Sequence, residues 1–216
     1  MKNFASSALA VLALASSGPV LAHGGAEHAS EPAPPATPAV AATRAALRDL
    51  WIGHVFWVRN VVDARFAGNA ARASAAEKEV VANARAIAGA IEPFYGKPAS
   101  ERLFALLAGH WQAISAYLDG ARAGDEEATK GAMGRLLANA DEIAKFLSGA
   151  NPNLPYDTVR GLLAAHGSHH VQQISQFKAG QWDAEARTWA AMKDHMYVIA
   201  DALADAIAKQ FPDRFR

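Results

Sequence analysis

Cysteine is absent from the 216 residues. Its absence excludes disulfides, thiolate metal sites and covalent CxxCH haem attachment together. Neither sign of charge is in excess: 21 Lys and Arg stand against 21 Asp and Glu. A neutral balance gives no reason to expect nucleic acid or an anionic membrane surface as partner. Strand-like alternation of apolar and polar residues is missing. So are a GxSxG elbow and a Gly-rich phosphate loop after a strand. No Glu-x-x-His occurs, which removes the signature of a carboxylate-bridged di-iron bundle. Past the N-terminus no apolar run is long enough to span a bilayer. What the chain does have is 51% hydrophobic residues, ample for one compact core.

The N-terminus reads as an address rather than as structure. Lys2 is followed by the small and apolar stretch FASSALAVLALASSGPV, and VLA before His23 has the small-x-small cleavage pattern. Ser and Gly interrupt the run, which falls short of the about 20 strongly apolar residues of a membrane anchor. Residues 1–22 are therefore expected to be a secretory signal, and the mature protein to be periplasmic or secreted. Residues 23–42 are rich in Pro and Ala and cannot bury enough surface to order themselves, so they are expected to form a flexible tail. Cleavage after Ala22 would make His23 a new N-terminus able to chelate copper, with Glu27 and His28 close by, although a plain tail is the simpler reading. The folded domain is expected over 43–216.

From Thr43 onward apolar residues recur at three and four spacing, as in Leu47, Leu50, Trp51, Val58 and Val61. A repeat of 56 residues underlies this helical pattern. LWIGH ends at His54, LLAGH at His110 and LLAAH at His166; AGN, AGD and AGQ carry Gly68, Gly124 and Gly180; NARAIA, NADEIA and HMYVIA begin at Asn83, Asn139 and His195. Each repeat reads as a helical hairpin turning at its glycine, where left-handed backbone ends a helix. Asn69 or Asp125 then starts the returning helix. The expected fold is all-α: three tandem antiparallel hairpins forming one bundle of six helices, roughly 43–66, 73–91, 98–122, 126–148, 155–178 and 183–210. Pro93, Pro98, Pro152 and Pro155 separate the hairpins.

His54, His110 and His166 each lie fourteen residues before a hairpin glycine, about 21 Å from the turn. They fall on the apolar face, opposite Asn83, Asn139 and His195 on the returning helices. One reading is architectural: each buried imidazole needs a partner, and the asparagines tie the hairpins together. The other is a metal site, strongest in the third repeat. His166 and His170, at i and i+4, can share one ion with His195 as third ligand, with His169 either joining or facing water and Asp194 and Asp201 nearby. If the hairpins bring their polar levels together, His54 and His110 join as well. An all-nitrogen set suits Zn²⁺, Cu²⁺, Ni²⁺ or Fe²⁺. A haem with a histidine and Met192 or Met196 as axial ligands is a lesser alternative. Trp51, Trp57, Trp111 and Phe56 read first as core and second as an aromatic binding wall. Arg59 and Asp63 read as a solvated or interhelical ion pair, and Asp141 and Glu142 as an exposed helix edge. No substrate or protein partner is named by any motif.

Several segments resemble a family of small exported helical proteins: LWIGHVFWVR (50–59), EPFYG (92–96), NADEIAKFLSGANP (139–152), LLAAH (162–166) and QFPDRF (210–215). The likeness covers nearly the whole expected mature chain. It implies an exported helical protein of no established activity, although some members carry a glycosyltransferase label. This chain has neither the alternating strands and helices of a nucleotide-sugar fold nor an Asp-x-Asp motif. Val58 stands where that family commonly has Thr, and Gln173 where an acidic residue is common. His54, His110 and His166 are the residues the resemblance carries over; His169 and His170 are additions. The function expected from these features is an exported metal-binding or metal-handling protein. The alternative is a non-catalytic scaffold or partner-binding module whose His and Asn only knit hairpins together.

Overall fold

The computed structural model describes residues 37–216; the expected signal and most of the expected tail, His23 and His28 included, lie outside the described residues. In chain order the helices are α1 (Pro38–Phe66), α2 (Ala70–Ala90), the single turn α3 (Glu92–Tyr95), α4 (Lys97–Ala123), α5 (Glu126–Ala150), α6 (Tyr156–Ala179) and α7 (Trp182–Gln210), and then a 3₁₀ turn over Pro212–Arg214. Six of these are long, and among the described residues there is no strand. The fold is an all-α bundle.

Local chemistry accounts for the helix ends. Gly68, Gly124 and Gly180 have φ of +69°, +72° and +64°, a conformation that side-chain-bearing residues avoid. Asn69 and Asp125 then accept the amides of Arg72 (3.0 Å) and Ala128 (2.9 Å), capping α2 and α5. Pro93 and Pro98 occupy first turns, where no amide partner is needed. One boundary differs from expectation: α1 begins at Pro38, so residues 38–42 are helix and not tail. The Thr37 hydroxyl caps it by accepting from the Val40 amide, and it also donates to the Phe215 carbonyl at 2.9 Å. A capped, alanine-rich start is helical despite its low hydrophobicity.

The long helices close a ring. α1 packs on α2, α2 on α4, α4 on α5, α5 on α6, α6 on α7, and α7 returns to α1; α6 also reaches α1 and α4 across the interior. This order is consistent with tandem hairpins, and α1, α4 and α6 run in the same direction. Apolar side chains at three and four spacing fill the inside, among them Val55, Val61, Ile114, Leu118, Ile174 and Met192, each at most 2% exposed. Burying each such side chain contributes about 1.5–3 kcal/mol. One end of the ring is stapled by segments distant in sequence. Tyr95 donates to Gln210 Oε1 (2.7 Å), Asn151 donates to Tyr95 (2.9 Å), and Phe94 stacks on Phe215. EPFYG, the end of α5 and QFPDRF therefore meet at one place. No helix of the described residues is long and apolar enough to cross a membrane.

Candidate metal centre

His54, His110 and His166 lie on α1, α4 and α6 at one height, on the faces that point into the ring. They are 6%, 4% and 1% exposed, and His170, one turn beyond His166, is 2% exposed. One nitrogen from each of the four lies within 4.8 Å of those of the other three. Ring centroids are 4.5 Å apart for His166 and His170, 5.4 Å for His54 and His166, and 6.4 Å for His110 and His170. α1, α4 and α6 thus deliver one imidazole each to a common point, and α6 delivers a second.

His195 is the one expected ligand outside this cluster. Its Nε2 is 2.8 Å from the Leu162 carbonyl, and the other two repeats show why. Asn83 Nδ2 donates to the Leu50 carbonyl and Asn139 Nδ2 to the Leu106 carbonyl, each at 3.0 Å. All three contacts span 33 residues and end one turn before a cluster histidine. A helical carbonyl has a second lone pair beyond the one its own helix uses, so the returning helix can bond to it without breaking a turn. His195 occupies the Asn position of its hairpin and serves as its tie. The Nδ2 atoms of Asn83 and Asn139 likewise bond to backbone and not to the histidine rings, and both Oδ1 atoms are buried without a hydrogen-bond partner.

Burial sets the charge of the cluster. It holds His54 down to about 3, helped by the neighbouring His110. It holds His110 down to about 4, opposed by the Asn139 side chain, which approaches the ring without completing a hydrogen bond. His166 and His170 are pushed well below the ordinary histidine value by burial and then by one another and their neighbours. All four rings are therefore neutral at pH 7, the form that ligates metals. Their hydrogen bonding is incomplete. Both nitrogens of His110 and Nδ1 of His166 have no partner, and the contact within the cluster is His170 Nε2 to His166 Nε2 at 3.2 Å. Four nitrogens bonded tetrahedrally at 2.0–2.1 Å stand about 3.3 Å apart, so this pair already has the spacing of two ligands on one ion.

The other expected features fall into place around the cluster. His169 and His195 form a half-buried pair outside it, with ring centroids 5.6 Å apart. Asp201 is engaged by Arg48 and Asp194 is exposed, so neither expected carboxylate reaches the histidines. Met192 and Met196 are fully buried in an apolar cluster with Leu47, Val55 and Ala84. The aromatic residues make no wall: Trp51 is core, Trp57 and Trp111 pack partly buried against the apolar cluster of Val58, Val61 and Ile114, and Phe56 is exposed. Arg59 pairs not with Asp63 but with Glu185, through contacts of 2.7 and 2.6 Å, while Asp63 pairs with Arg72. Glu185 is 2% exposed and also accepts from Gln173 at 2.9 Å. This lock between α1, α6 and α7 had no sign in the sequence beyond Gln173 lying seven residues after His166 on the same face.

Fold and site together define a six-helix all-α bundle with four neutral histidines buried at its centre. Comparison with known protein families, with curated proteins and with solved structures returns no match.

Proposed function

We propose that this protein is an exported metal-binding protein that holds one divalent transition-metal ion on His54, His110, His166 and His170. The observation that carries this reading is the convergence of four buried imidazoles, of which His110 has no partner at either ring nitrogen and His166 none at Nδ1. Each buried polar atom left unbonded costs about 1–3 kcal/mol. The three orphaned nitrogens of His110 and His166 together cost roughly 3–9 kcal/mol, comparable to a domain's whole net stability. A purely architectural role does not repay that, since the hairpin ties already run through Asn83, Asn139 and His195. An ion bonded to the rings would take up one nitrogen of each, and so one of the two left unbonded at His110.

The donor set narrows the ion. Four neutral nitrogens with neither carboxylate nor thiolate suit Zn²⁺, Cu²⁺, Ni²⁺ or Fe²⁺ and disfavour Ca²⁺ and Mg²⁺. The haem alternative is less well supported: the rings stand at a spacing that one ion bridges and that a macrocycle would have to force apart. Export rests on the N-terminal pattern and on the resemblance to exported helical proteins, whose three carried-over histidines belong to the proposed centre.

The test is metal analysis of protein purified from the exported fraction, followed by thermal melts with each ion. One ion per chain is expected, and a melting temperature raised by mass action. His166→Ala should abolish the rise, whereas His195→Ala should retain metal and lose only the stability of its tie. A protein that takes up no ion, and whose melting no ion alters, returns the scaffold reading.

A further inference from the structure

The histidine cluster is not sealed on every side. A partly enclosed cavity of ≈ 60 Å³ adjoins it, lined by His54, His110 and His166 with apolar side chains from all six long helices, and no charged side chain lines it. His170 is the one cluster member that does not line the cavity, so the open face of the centre is the one made by the other three. A water needs about 15 Å³ of such space, so the cavity holds roughly four bodies of that size. Away from the three imidazoles and Trp51 its walls are apolar and offer water no partner.

Besides the three imidazoles, one polar group breaks the apolar lining. Trp51 lies among the cavity residues, is 6% exposed, and its ring stands edge-on to His54 at 6.0 Å; its Nε1–H has no acceptor. A buried indole N–H ordinarily finds a partner. Here the donor is left free on a residue that lines the same cavity as the three histidines.

We propose that the face formed by His54, His110 and His166 binds a small neutral ligand of the diatomic-gas class (dioxygen, nitric oxide or carbon monoxide), taken as a fifth ligand of the ion with Trp51 Nε1–H donating to it. The inference rests on the metal reading. Its elements are complementary. The ion, in a redox-active form such as Fe²⁺, supplies the bond by taking the guest as a ligand beyond the four nitrogens. The apolar walls favour a neutral guest over an anion, whose desolvation they would not repay. The indole supplies the single hydrogen bond such a guest can accept. The limited space excludes larger substrates, consistent with a cleft that is mostly apolar and has few convergent polar groups.

The experiment loads the full folded protein anaerobically with Fe²⁺, or with Co²⁺ where iron is not retained, counts bound metal after desalting, and titrates nitric oxide by electron paramagnetic resonance. The expected result is one nitrosyl per ion. Ala202→Trp places bulk in the cavity from a half-buried position; it should leave the metal count unchanged and weaken nitric oxide binding by at least about tenfold, equivalent to about 1.4 kcal/mol. Trp51→Phe should keep the metal and speed nitric oxide release. Xenon uptake by the unsubstituted metal-free protein, monitored through the ¹²⁹Xe chemical shift, tests the cavity without any variant. Loaded protein that binds no nitric oxide, or binds it equally with Ala202→Trp, or prefers azide to nitric oxide, overturns the proposal while leaving the metal reading intact. Absence of xenon uptake also overturns it. Failure to retain any ion removes both readings, and the metal count distinguishes that case.

Discussion

His110 is 4% exposed with neither ring nitrogen bonded, which makes its replacement by leucine informative. Leucine fills similar space and has no polar atom to satisfy. Removing two unbonded nitrogens should stabilise the metal-free protein by about 2–6 kcal/mol, while the metal-dependent rise in melting temperature disappears. Paired thermal melts of His110→Leu and the parent, with and without the ion, check both halves. A drop in metal-free stability would mean that the ring is a structural member of the bundle and that the metal reading has mistaken its role. The Arg59–Glu185 pair is a contrasting case. Its buried carboxylate is fully partnered by Arg59 and Gln173, so it carries no sign of a missing ligand.

Between elements, the repeated tie sets a rule on the helix it touches. A Cβ built on Gly53 would stand 2.9 Å from Asn83 Nδ2, and one on Gly109 would stand 3.2 Å from Asn139 Nδ2. In the third hairpin the longer imidazole of His195 makes the tie, and Ala165 takes the glycine's place. Gly53→Ala should therefore forfeit the ordinary helix gain of about 1 kcal/mol, because it disturbs a hydrogen bond worth about 1 kcal/mol. In an Asn83→Ala background the same change should recover the gain. Gly134→Ala, with nothing near its added Cβ, should stabilise by about 1 kcal/mol in either background. A double-mutant cycle by urea unfolding reads the coupling; a coupling near zero would show that tie and glycine are independent.

At the scale of the whole molecule, four rings buried in the neutral state make the metal-free fold sensitive to acid. His54 and His110 are held down to about 3 and about 4 in the folded state, and His166 and His170 also lie well below the ordinary value. In the unfolded chain a histidine titrates near 6.5. Above that pH neither state takes a proton at these rings and the stability contribution is level. As pH falls below it, the unfolded chain binds protons that the folded chain refuses, so stability drops. Each ring removes about 1.4 kcal/mol per pH unit until its folded value is reached. Urea midpoints of metal-free protein should fall steeply from pH 7 to pH 5, and His54→Leu with His110→Leu should flatten the slope. Midpoints that do not move over that range would show that the rings are not neutral and buried together.

The helices, their glycine turns and their asparagine caps were legible in the sequence because they depend on residues a few positions apart: Gly68 must supply positive φ, and Asn69 must cap the helix that begins at Ala70. The equal distance of His54, His110 and His166 from their turns was legible too, because a 56-residue period keeps helix length and turn constant, but the packing that brings those levels together was not. Neither was azimuth. Whether His195 or His170 completes the cluster depends on how α7 is rotated against α6, and no local pattern encodes that rotation. Nor did any spacing disclose that Glu185 would meet Arg59, that Asp201 would be taken by Arg48, or that a mostly apolar cavity would open beside three of the histidines. Those outcomes come from closing six helices into a ring, where the packing of side chains from distant segments decides which polar atoms find partners and which are left for a ligand.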